Sequence, residues 1–99
     1  PQGMYSMEYP ADWTSYEREG MVGFVAPNNV DVGCAVLEVA PNTGTPGEIA
    51  SDSASGGTRT MWVCGERYMA AVLFYAPEGD FDYMNRKYFE PMVQGIEVK

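Results

Sequence analysis

The stretch that most constrains the fold is an uninterrupted apolar run from Tyr68 to Tyr75, Tyr-Met-Ala-Ala-Val-Leu-Phe-Tyr. Its length is typical of a β-strand, and the turn residues Gly65-Glu66 precede it. Side chains of a strand alternate between the two faces of a sheet, so a run that is apolar throughout has no polar face. Such strands occur where both faces are covered. The run therefore predicts the centre of a sheet with other elements packed above and below it.

The residues that follow have the period of an amphipathic helix. At about 100° per residue, one stripe collects four apolar side chains, Phe81, Met84, Tyr88 and Met92. Asp80 stands where an N-cap residue belongs. Pro91 lies inside the pattern and removes a backbone donor, which predicts a kink or a break near residues 87–90. We interpret the stripe as core, so Tyr83 and Lys87 are predicted to lie on the outward side of the helix.

The rest of the chain contains more strands and one short helix. Five segments have strand patterns, Met4–Tyr9, Thr14–Glu17, Met21–Ala26, Val30–Val39 and Met61–Cys64. The turn Pro27-Asn28-Asn29 joins the third and fourth of these into a predicted hairpin. Thr45-Pro-Gly-Glu48 matches a capping box, which predicts a short helix from Pro46 to about Ala54. The predicted fold class is α+β, an antiparallel sheet with the short helix and the C-terminal helix packed on opposite faces.

Length and charge limit the function classes. Ninety-nine residues suffice for a single domain, 1–99, with one core. The net charge is −8, so binding to nucleic acid or to an anionic membrane by charge is disfavoured. No apolar run has the length of a transmembrane helix, and we expect no targeting segment within residues 1–99. Because the chain begins without methionine, we expect a processed or trimmed product.

Cys34 and Cys64 are the two cysteines of the chain. In an oxidising compartment they would form a disulfide that stabilises the fold by roughly 3 to 4 kcal/mol. The alternative is a pair of buried, reduced thiols, because free cysteine is among the most buried residue types. Their separation does not fit a CxxC redox pair, and the chain has no histidine to complete a zinc site.

The absence of histidine also excludes Ser-His-Asp and Cys-His catalysis. Ser55-Gly56-Gly57 lacks the lysine of a phosphate-binding loop, so the sequence favours a non-enzymatic protein without a cofactor. Glu78, Asp80 and Asp82 alternate in a way that offers oxygen ligands to calcium, although the residues after them do not fit an EF-hand loop. Helix capping explains Asp80 without a metal ion.

Aromatic residues offer two binding hypotheses. Four large rings are candidates to line a pocket for a sugar or an apolar ligand, Trp13, Tyr16, Trp62 and Tyr83. Alternatively, exposed residues form a contact surface for another protein, and Trp62, Tyr83 and Lys87 are the candidates for that role. Trp13 follows a turn and is expected to fold back on the core.

Three phrases of the sequence resemble the PsbP-like superfamily, which includes the extrinsic PsbP proteins of photosystem II, LpqN-type lipoproteins and the yeast Ran-binding import factor. They are Tyr5-Ser-Met-Glu-Tyr-Pro-Ala-Asp-Trp13, Val22-Gly-Phe-Val-Ala-Pro27, and the run Arg67–Tyr75 with Tyr88-Phe-Glu-Pro-Met-Val93. The resemblance implies an α/β/α sandwich and a non-enzymatic role in binding or assembly, commonly outside the cytoplasm. The middle region is shorter than in the family, and basic residues that some members use are missing.

The leading hypothesis from the sequence is therefore an extracytoplasmic protein-binding or assembly module of PsbP-like type. The first alternative is a small-ligand module with an aromatic-lined pocket, and the second is an enzyme that uses carboxylates. A concave cavity rimmed by Trp, Tyr and acids favours the alternatives, whereas an exposed aromatic patch on a flat surface favours the first hypothesis.

Overall fold

The computed structural model describes residues 3–27 and 29–99. Eight strands are present in this part of the chain: β1 (Tyr5–Ser6), β2 (Thr14–Arg18), β3 (Met21–Ala26), β4 (Asn29–Pro41), β5 (Ile49–Ser55), β6 (Thr58–Cys64), β7 (Tyr68–Tyr75) and β8 (Glu97–Val98). A 3₁₀ turn (Glu78–Asp80) leads into the C-terminal helix, which has an α-helical segment α1 (Phe81–Met84), a π-helical turn (Asn85–Phe89) and an α-helical segment α2 (Glu90–Gln94).

Six of the strands form one antiparallel sheet in the order β2-β3-β4-β7-β6-β5. The predicted run Tyr68–Tyr75 is β7, and with β4 it occupies the middle of the sheet. The α+β class and the antiparallel sheet are therefore confirmed. The hairpin of β3 and β4 is also confirmed by its pairing, although Asn28 of its predicted turn lies outside the described residues.

The predicted N-terminal strand is much shorter than its pattern suggested. Only Tyr5–Ser6 is a strand, and it pairs with β8 in a separate two-stranded sheet. Lys99 links this small sheet to the large one, because its N–H donates to Met4 O while its carbonyl accepts from Arg67 and Tyr68. Tyr5–Ser6 therefore pairs with residues near the other end of the described chain and does not join the main sheet.

Pro91 changes the hydrogen-bond register of the C-terminal helix without ending it. The π-helical turn ends at Phe89, two residues before the proline. Proline has no N–H for the carbonyl of residue 87, and a wider turn at this point relieves the crowding that its ring would cause. The predicted disturbance near residues 87–90 is thus a π-helical turn within a continuous helix. Asp80 occupies the N-cap position as predicted, but its side chain makes no capping hydrogen bond.

The predicted helix from Pro46 to Ala54 is wrong, because this segment contains β5 instead. The capping-box turn does form: the N–H of Thr45 donates to Glu48 Oε1 at 3.4 Å. The chain then leaves the helical path at Gly47, whose φ is 84°. Cys64 donates its N–H to Glu48 O at 2.9 Å, and the chain continues as a strand beside β6. Pairing with an open sheet edge outweighed a helix signal carried by residues of weak helix propensity.

The core lies between the sheet and the C-terminal helix. We call this side of the sheet the closed face; its buried strand residues include Phe24, Val32, Cys34, Val36, Met61, Val72 and Phe74. They pack against Phe81, Phe89, Met92 and Val93 of the helix. Trp13 is also buried in this core, as predicted, with its ring centroid 5.4 Å from that of Tyr88. The apolar stripe of the helix is therefore committed to packing.

The opposite side of the sheet carries no second helix among the described residues. We call it the open face; its side chains alternate with those of the closed face, and the apolar ones include Tyr16, Val25, Ala35, Leu37, Trp62, Leu73 and Tyr75. The expectation that elements cover both faces of the central run is therefore wrong. Burial along β7 alternates strictly from Met69 to Ala76, because every second residue faces the helix. None of the helices among residues 3–27 and 29–99 has the length and apolar character needed to span a membrane.

Candidate interaction surface

The open face is an apolar surface built from alternate residues of five strands. Tyr16, Val25, Leu73 and Tyr75 are half-buried, and none of them belongs to the core cluster. Leu37 is 45% exposed. It lies in a β-bulge where the register shifts between Val36 and Glu38, so an extra residue enters β4 at this point. The bulge places an aliphatic side chain in solvent beside the apolar residues of β7.

Two glycines allow tyrosine rings to lie against the open face. A Cβ atom on Gly23 would collide with the ring of Tyr16. A Cβ atom on Gly33 would lie 2.5 Å from Tyr75 Oη and 2.5 Å from Phe24 O. Burial raises the pKa of the Tyr75 phenol, and the neighbouring Tyr16 raises that pKa further. We call these two rings, which lie over Gly23 of β3 and Gly33 of β4, the aromatic platform.

Polar residues bound this apolar strip on one side. On the same face, β6 and β5 present hydroxyl side chains, Thr58, Thr60, Ser53 and Ser55. Trp62 extends the apolar strip onto β6, next to Ala71. From β2 to β7 the strip is about 14 Å wide, because neighbouring strands lie about 4.8 Å apart.

Charged residues lie at the ends of the strip rather than at its centre. Asp31 lies on the open face by strand alternation, and Glu38 lies there because the bulge after Val36 brings it opposite Ala71, so the two carboxylates are at opposite ends of the strip. They are about 23 Å apart along the strand at about 3.3 Å per residue. Arg18 of β2 is the basic strand residue on this face in the described part of the chain. The strip between these residues has no acidic or basic side chain.

One end of the sheet on this side is covered by the loop between β4 and β5. The side-chain amide of Asn42 donates to Gly65 O at 2.8 Å, and Thr43 Oγ1 lies 3.8 Å from Met69 Sδ. A Cβ atom on Gly44 would lie 3.0 Å from the Cys64 sulfur. The loop thus shields Met69 and Cys64, and the exposed strip begins beyond them.

The predicted contact residues do not form one surface. Trp62 lies on the open face, whereas Tyr83 and Lys87 lie on the outer side of the C-terminal helix. Tyr83 is 53% exposed, in agreement with the predicted outward side. Lys87 Nζ donates to Tyr83 Oη at 3.0 Å and lies 5.4 Å and 5.2 Å from the ring centroids of Tyr83 and Tyr88. The hydrogen bond that Lys87 donates to Tyr83 is the main cause of the raised pKa of Lys87.

The four rings considered for a ligand pocket are also separated. Trp13 is in the core, Tyr16 and Trp62 are on the open face, and Tyr83 is on the outer side of the helix. A cleft of about 700 Å³ lies elsewhere, at the pairing of β1 with β8. Its lining includes Tyr5, Ser6, Glu66, Arg67, Glu97 and Lys99. None of the four candidate rings contributes to it.

Cys34 and Cys64 are free, buried thiols, which is the reduced alternative of the sequence analysis. Cys34 is in β4 and Cys64 is in β6, and both strands pair with β7. Cys34 lies opposite Phe74, and Cys64 lies opposite Met69. These positions are an odd number of residues apart, so the two thiols lie on opposite faces and cannot bond without a change of register. Burial raises the pKa of the Cys34 thiol well above its ordinary value. Free thiols therefore reflect geometry and carry no information about the compartment.

The calcium hypothesis is not supported by the geometry. Glu78 and Asp80 belong to the 3₁₀ turn, and Asp82 lies in the first turn of α1. Within residues 3–27 and 29–99, no three acidic, cysteine or histidine side chains form a group that would hold a metal ion. The alternating carboxylates are spread around the start of a helix, because a helical path turns successive side chains away from one another.

Sequence reasoning missed an ion-pair cluster on the closed face. The guanidinium of Arg59 donates to both carboxylate oxygens of Asp52 at 2.8 and 2.7 Å, to Glu90 at 2.6 Å and to Asn85 Oδ1 at 2.9 Å. The Arg59 side chain is only 11% exposed. The hydrogen bond from Arg59 lowers the pKa of Asp52, and burial opposes that shift. The cluster ties β5 and β6 to the helix. The sequence signal that could have found the cluster is Arg59 itself, a charged residue opposite Phe74 at a strand position that faces the core.

The open face thus leaves several apolar residues outside the core, whereas the helix side is closed by core contacts and by the Arg59 cluster. Comparisons with models of protein families, with curated proteins and with solved structures found no match to this chain.

Proposed function

We propose that this chain is a non-catalytic protein-binding or assembly module, and that its contact surface is the open face. The observation that carries the proposal is the apolar strip, whose residues Tyr16, Val25, Leu37, Leu73 and Tyr75 are half-buried or exposed and lie outside the core cluster of the described residues. Leu37, 45% exposed, is its most accessible aliphatic residue. Water contact with such a strip costs free energy, and binding of another protein removes that contact.

The size and composition of the strip support this role. A patch of about 14 by 23 Å covers about 300 Å², which falls in the range where exposed apolar patches mark interaction sites. Trp and Tyr are enriched among residues that dominate binding energy, and the strip holds Tyr16, Trp62 and Tyr75. Of the three contact residues predicted from the sequence, Trp62 belongs to this surface.

The proposal includes two further predictions from the sequence, the PsbP-like superfamily and a location outside the cytoplasm. Membership of the PsbP-like superfamily is supported by the antiparallel sheet and the C-terminal helix, although the described residues lack the second helical layer of the α/β/α sandwich that the resemblance implies. A location outside the cytoplasm follows from that resemblance alone. The alternative function, binding of a small ligand, requires aromatic rings around one cavity. The candidate rings are distributed over the core, the open face and the outer side of the helix, so we propose the protein-binding function.

Site-specific photo-crosslinking in cells of the source organism tests the proposal. A photoreactive phenylalanine derivative replaces Leu73 on the open face, Tyr83 on the helix, or Asp12 in an exposed turn as the control. We expect a protein adduct from position 73 and none from position 12. The identified partner, once purified, should bind the wild-type chain at least about tenfold more tightly than the Leu73→Lys variant.

Adducts from position 83 alone would move the contact to the Tyr83 and Lys87 side of the helix and overturn the proposed surface. The absence of protein adducts from both positions would overturn the protein-binding function itself. Thermal unfolding of each substituted chain checks that the fold is retained, because an unfolded chain exposes apolar residues everywhere.

A further inference from the structure

We propose that the open face binds one basic amphipathic helix of about 15 residues that a partner protein supplies. This inference rests on the proposed function and names the kind of partner. The bound helix would form the missing second layer on the sheet, so that a helix–sheet–helix sandwich is completed between two chains. Three features of the open face carry the inference: its dimensions, its position on a sheet built for two layers, and its charges.

The dimensions of the apolar strip fit a single helix. The strip is about 14 Å wide, and an α-helix with its side chains is about 10–12 Å wide. The hydroxyl residues of β5 and β6 limit the strip on one side, and β2 is the edge strand on the other. A second sheet packed on this face would cover all six strands and bury the polar positions Ser53 and Thr60 against apolar side chains, which costs free energy.

The strands themselves are built for two layers. Phe74 of β7 faces the C-terminal helix, with its ring centroid 5.0 Å from that of Phe89. Its neighbours Leu73 and Tyr75 face the opposite side and are as apolar as the buried set. A strand that is apolar at consecutive positions is typical of sheets with helices on both faces. The described residues supply one helix, and we assign the second to the partner.

The charges around the strip favour a basic helix. Asp31 and Glu38 lie at its two ends, and the chain carries a net charge of −8. Arg18 lies on the outer strand β2 and is the basic residue that opposes this preference. Arg59 does not oppose it, because its guanidinium lies on the closed face, paired with Asp52 and Glu90. Lys or Arg side chains at both ends of an apolar helix would therefore meet carboxylates.

The aromatic platform suits the same occupant. The rings of Tyr16 and Tyr75 lie against Gly23 and Gly33, so their outer ring faces form a flat surface at the end of the strip nearest Asp31. A ring face attracts the ammonium or guanidinium group of a long side chain, and the aliphatic part of that side chain packs on the ring. A basic residue at the helix end would contact the platform and Asp31 together.

The probe for the test is a fluorescein-labelled amphipathic peptide of Leu and Lys of about 16 residues, long enough to span the strip. Fluorescence anisotropy measures its binding to the full chain. We expect saturable binding, and binding weaker by about tenfold or more when Glu replaces Lys or when the same residues are scrambled. The scrambled peptide keeps the charge and removes the apolar face, so it separates helix docking from simple attraction to an acidic protein.

Matched variants locate the binding. Leu73→Lys and Tyr83→Lys each add one positive charge, on the open face and on the helix respectively. We expect the first to weaken peptide binding about tenfold and the second to change it by less than about twofold. Glu38→Gln should weaken binding about threefold, whereas Glu97→Gln, which removes an exposed carboxylate from β8, should have little effect. Glu38 is exposed, so its variant stays informative if Leu73→Lys fails to fold.

Equal effects of Leu73→Lys and Tyr83→Lys, or equal binding of the ordered and scrambled peptides, would overturn the inference. A second copy of the chain on the open face is the other occupant to distinguish. Sedimentation that reports a dimer, which Leu73→Lys converts to a monomer, would also overturn it. Each of these results leaves the protein-binding function in place if photo-crosslinking at position 73 still yields a protein adduct. Only the absence of any adduct overturns both the function and the helix inference.

Discussion

The two faces of the sheet are formed by the same strands, but only one of them packs against a helix of the described residues. On the closed face, Phe74 and Cys34 are fully buried between β7, β4 and the C-terminal helix. On the open face, the adjacent residues Leu73 and Tyr75 remain half-buried, and Leu37 is largely in solvent. The residue types are similar on both sides. The comparison shows that an apolar pattern predicts a face on which another element packs. The pattern does not specify which element that is.

The strongest test of this comparison is a pair of neighbouring substitutions. Phe74→Ala should lower the free energy of unfolding by about 3–5 kcal/mol, because it leaves a cavity against Phe89 in the core. Leu73→Ala should lower it by about 1 kcal/mol, because a half-exposed side chain loses little burial. Urea denaturation measures both values. Similar losses at the two positions would show that the open face is covered in the isolated chain.

The aromatic platform gives the next largest effect. Gly33→Ala should lower the free energy of unfolding by about 1–3 kcal/mol, because its Cβ atom would lie 2.5 Å from both Tyr75 Oη and Phe24 O. Only the tyrosine can move away, since Phe24 O belongs to the backbone.

The matched control is Gly79→Ala, where no atom lies within 4 Å of the added Cβ, and we expect a change within about 0.5 kcal/mol. Near-ultraviolet circular dichroism of the Gly33 variant should also change, since the tyrosine environment is disturbed. An unchanged spectrum and full stability would contradict the packing of Tyr75 over Gly33.

The smallest predicted effect concerns pH and belongs to the closed face. Arg59 lowers the pKa of Asp52 in the folded state, so the ionised carboxylate stabilises the fold. This contribution is complete above the pKa of Asp52 in the unfolded chain and is lost as pH falls through the lower pKa of the folded chain. The wild type should exceed Asp52→Asn in stability at pH 7, and the gap should narrow as pH falls below about 4.

The gap should be less than about 1 kcal/mol, because the Asp52 side chain is partly exposed and solvent screens the ion pair. Urea denaturation at several pH values measures the difference. Asp82→Asn, at an exposed position of the helix, is the control for a general loss of carboxylate charge. A gap that widens on acidification would contradict the direction of the Asp52 shift.

Much of the fold was predictable from local pattern. The limits of β3 and β7 agree with the predicted segments Met21–Ala26 and Tyr68–Tyr75, because long apolar runs bounded by turn residues have few alternative structures. The helix after Asp80 was predictable from its stripe. The segment 46–54 was not, because a capping box is a local signal, and the vacant edge of β6 lies far from it in the sequence.

The candidate surface was predictable only in part. The sequence identifies Trp62 and Tyr16 as large rings, whereas its pattern predicts that Tyr75 and Leu73 belong to a strand covered on both sides. Leu37 carried no signal, because its exposure depends on a bulge between β4 and β7. The Arg59 cluster likewise depends on Asp52, Asn85 and Glu90 coming together from β5 and the helix, which strand periodicity does not specify.

By itself, the sequence determined that the Tyr68–Tyr75 run is a central strand and that one amphipathic helix follows it, because backbone period and apolar pattern are local properties. The tertiary structure decided which face the helix covers, that Cys34 and Cys64 are on opposite faces, and that the segment after Gly47 becomes an edge strand. Those outcomes follow from pairing between distant segments. The same run therefore has one face closed by the C-terminal helix and one face that no helix of the described residues covers.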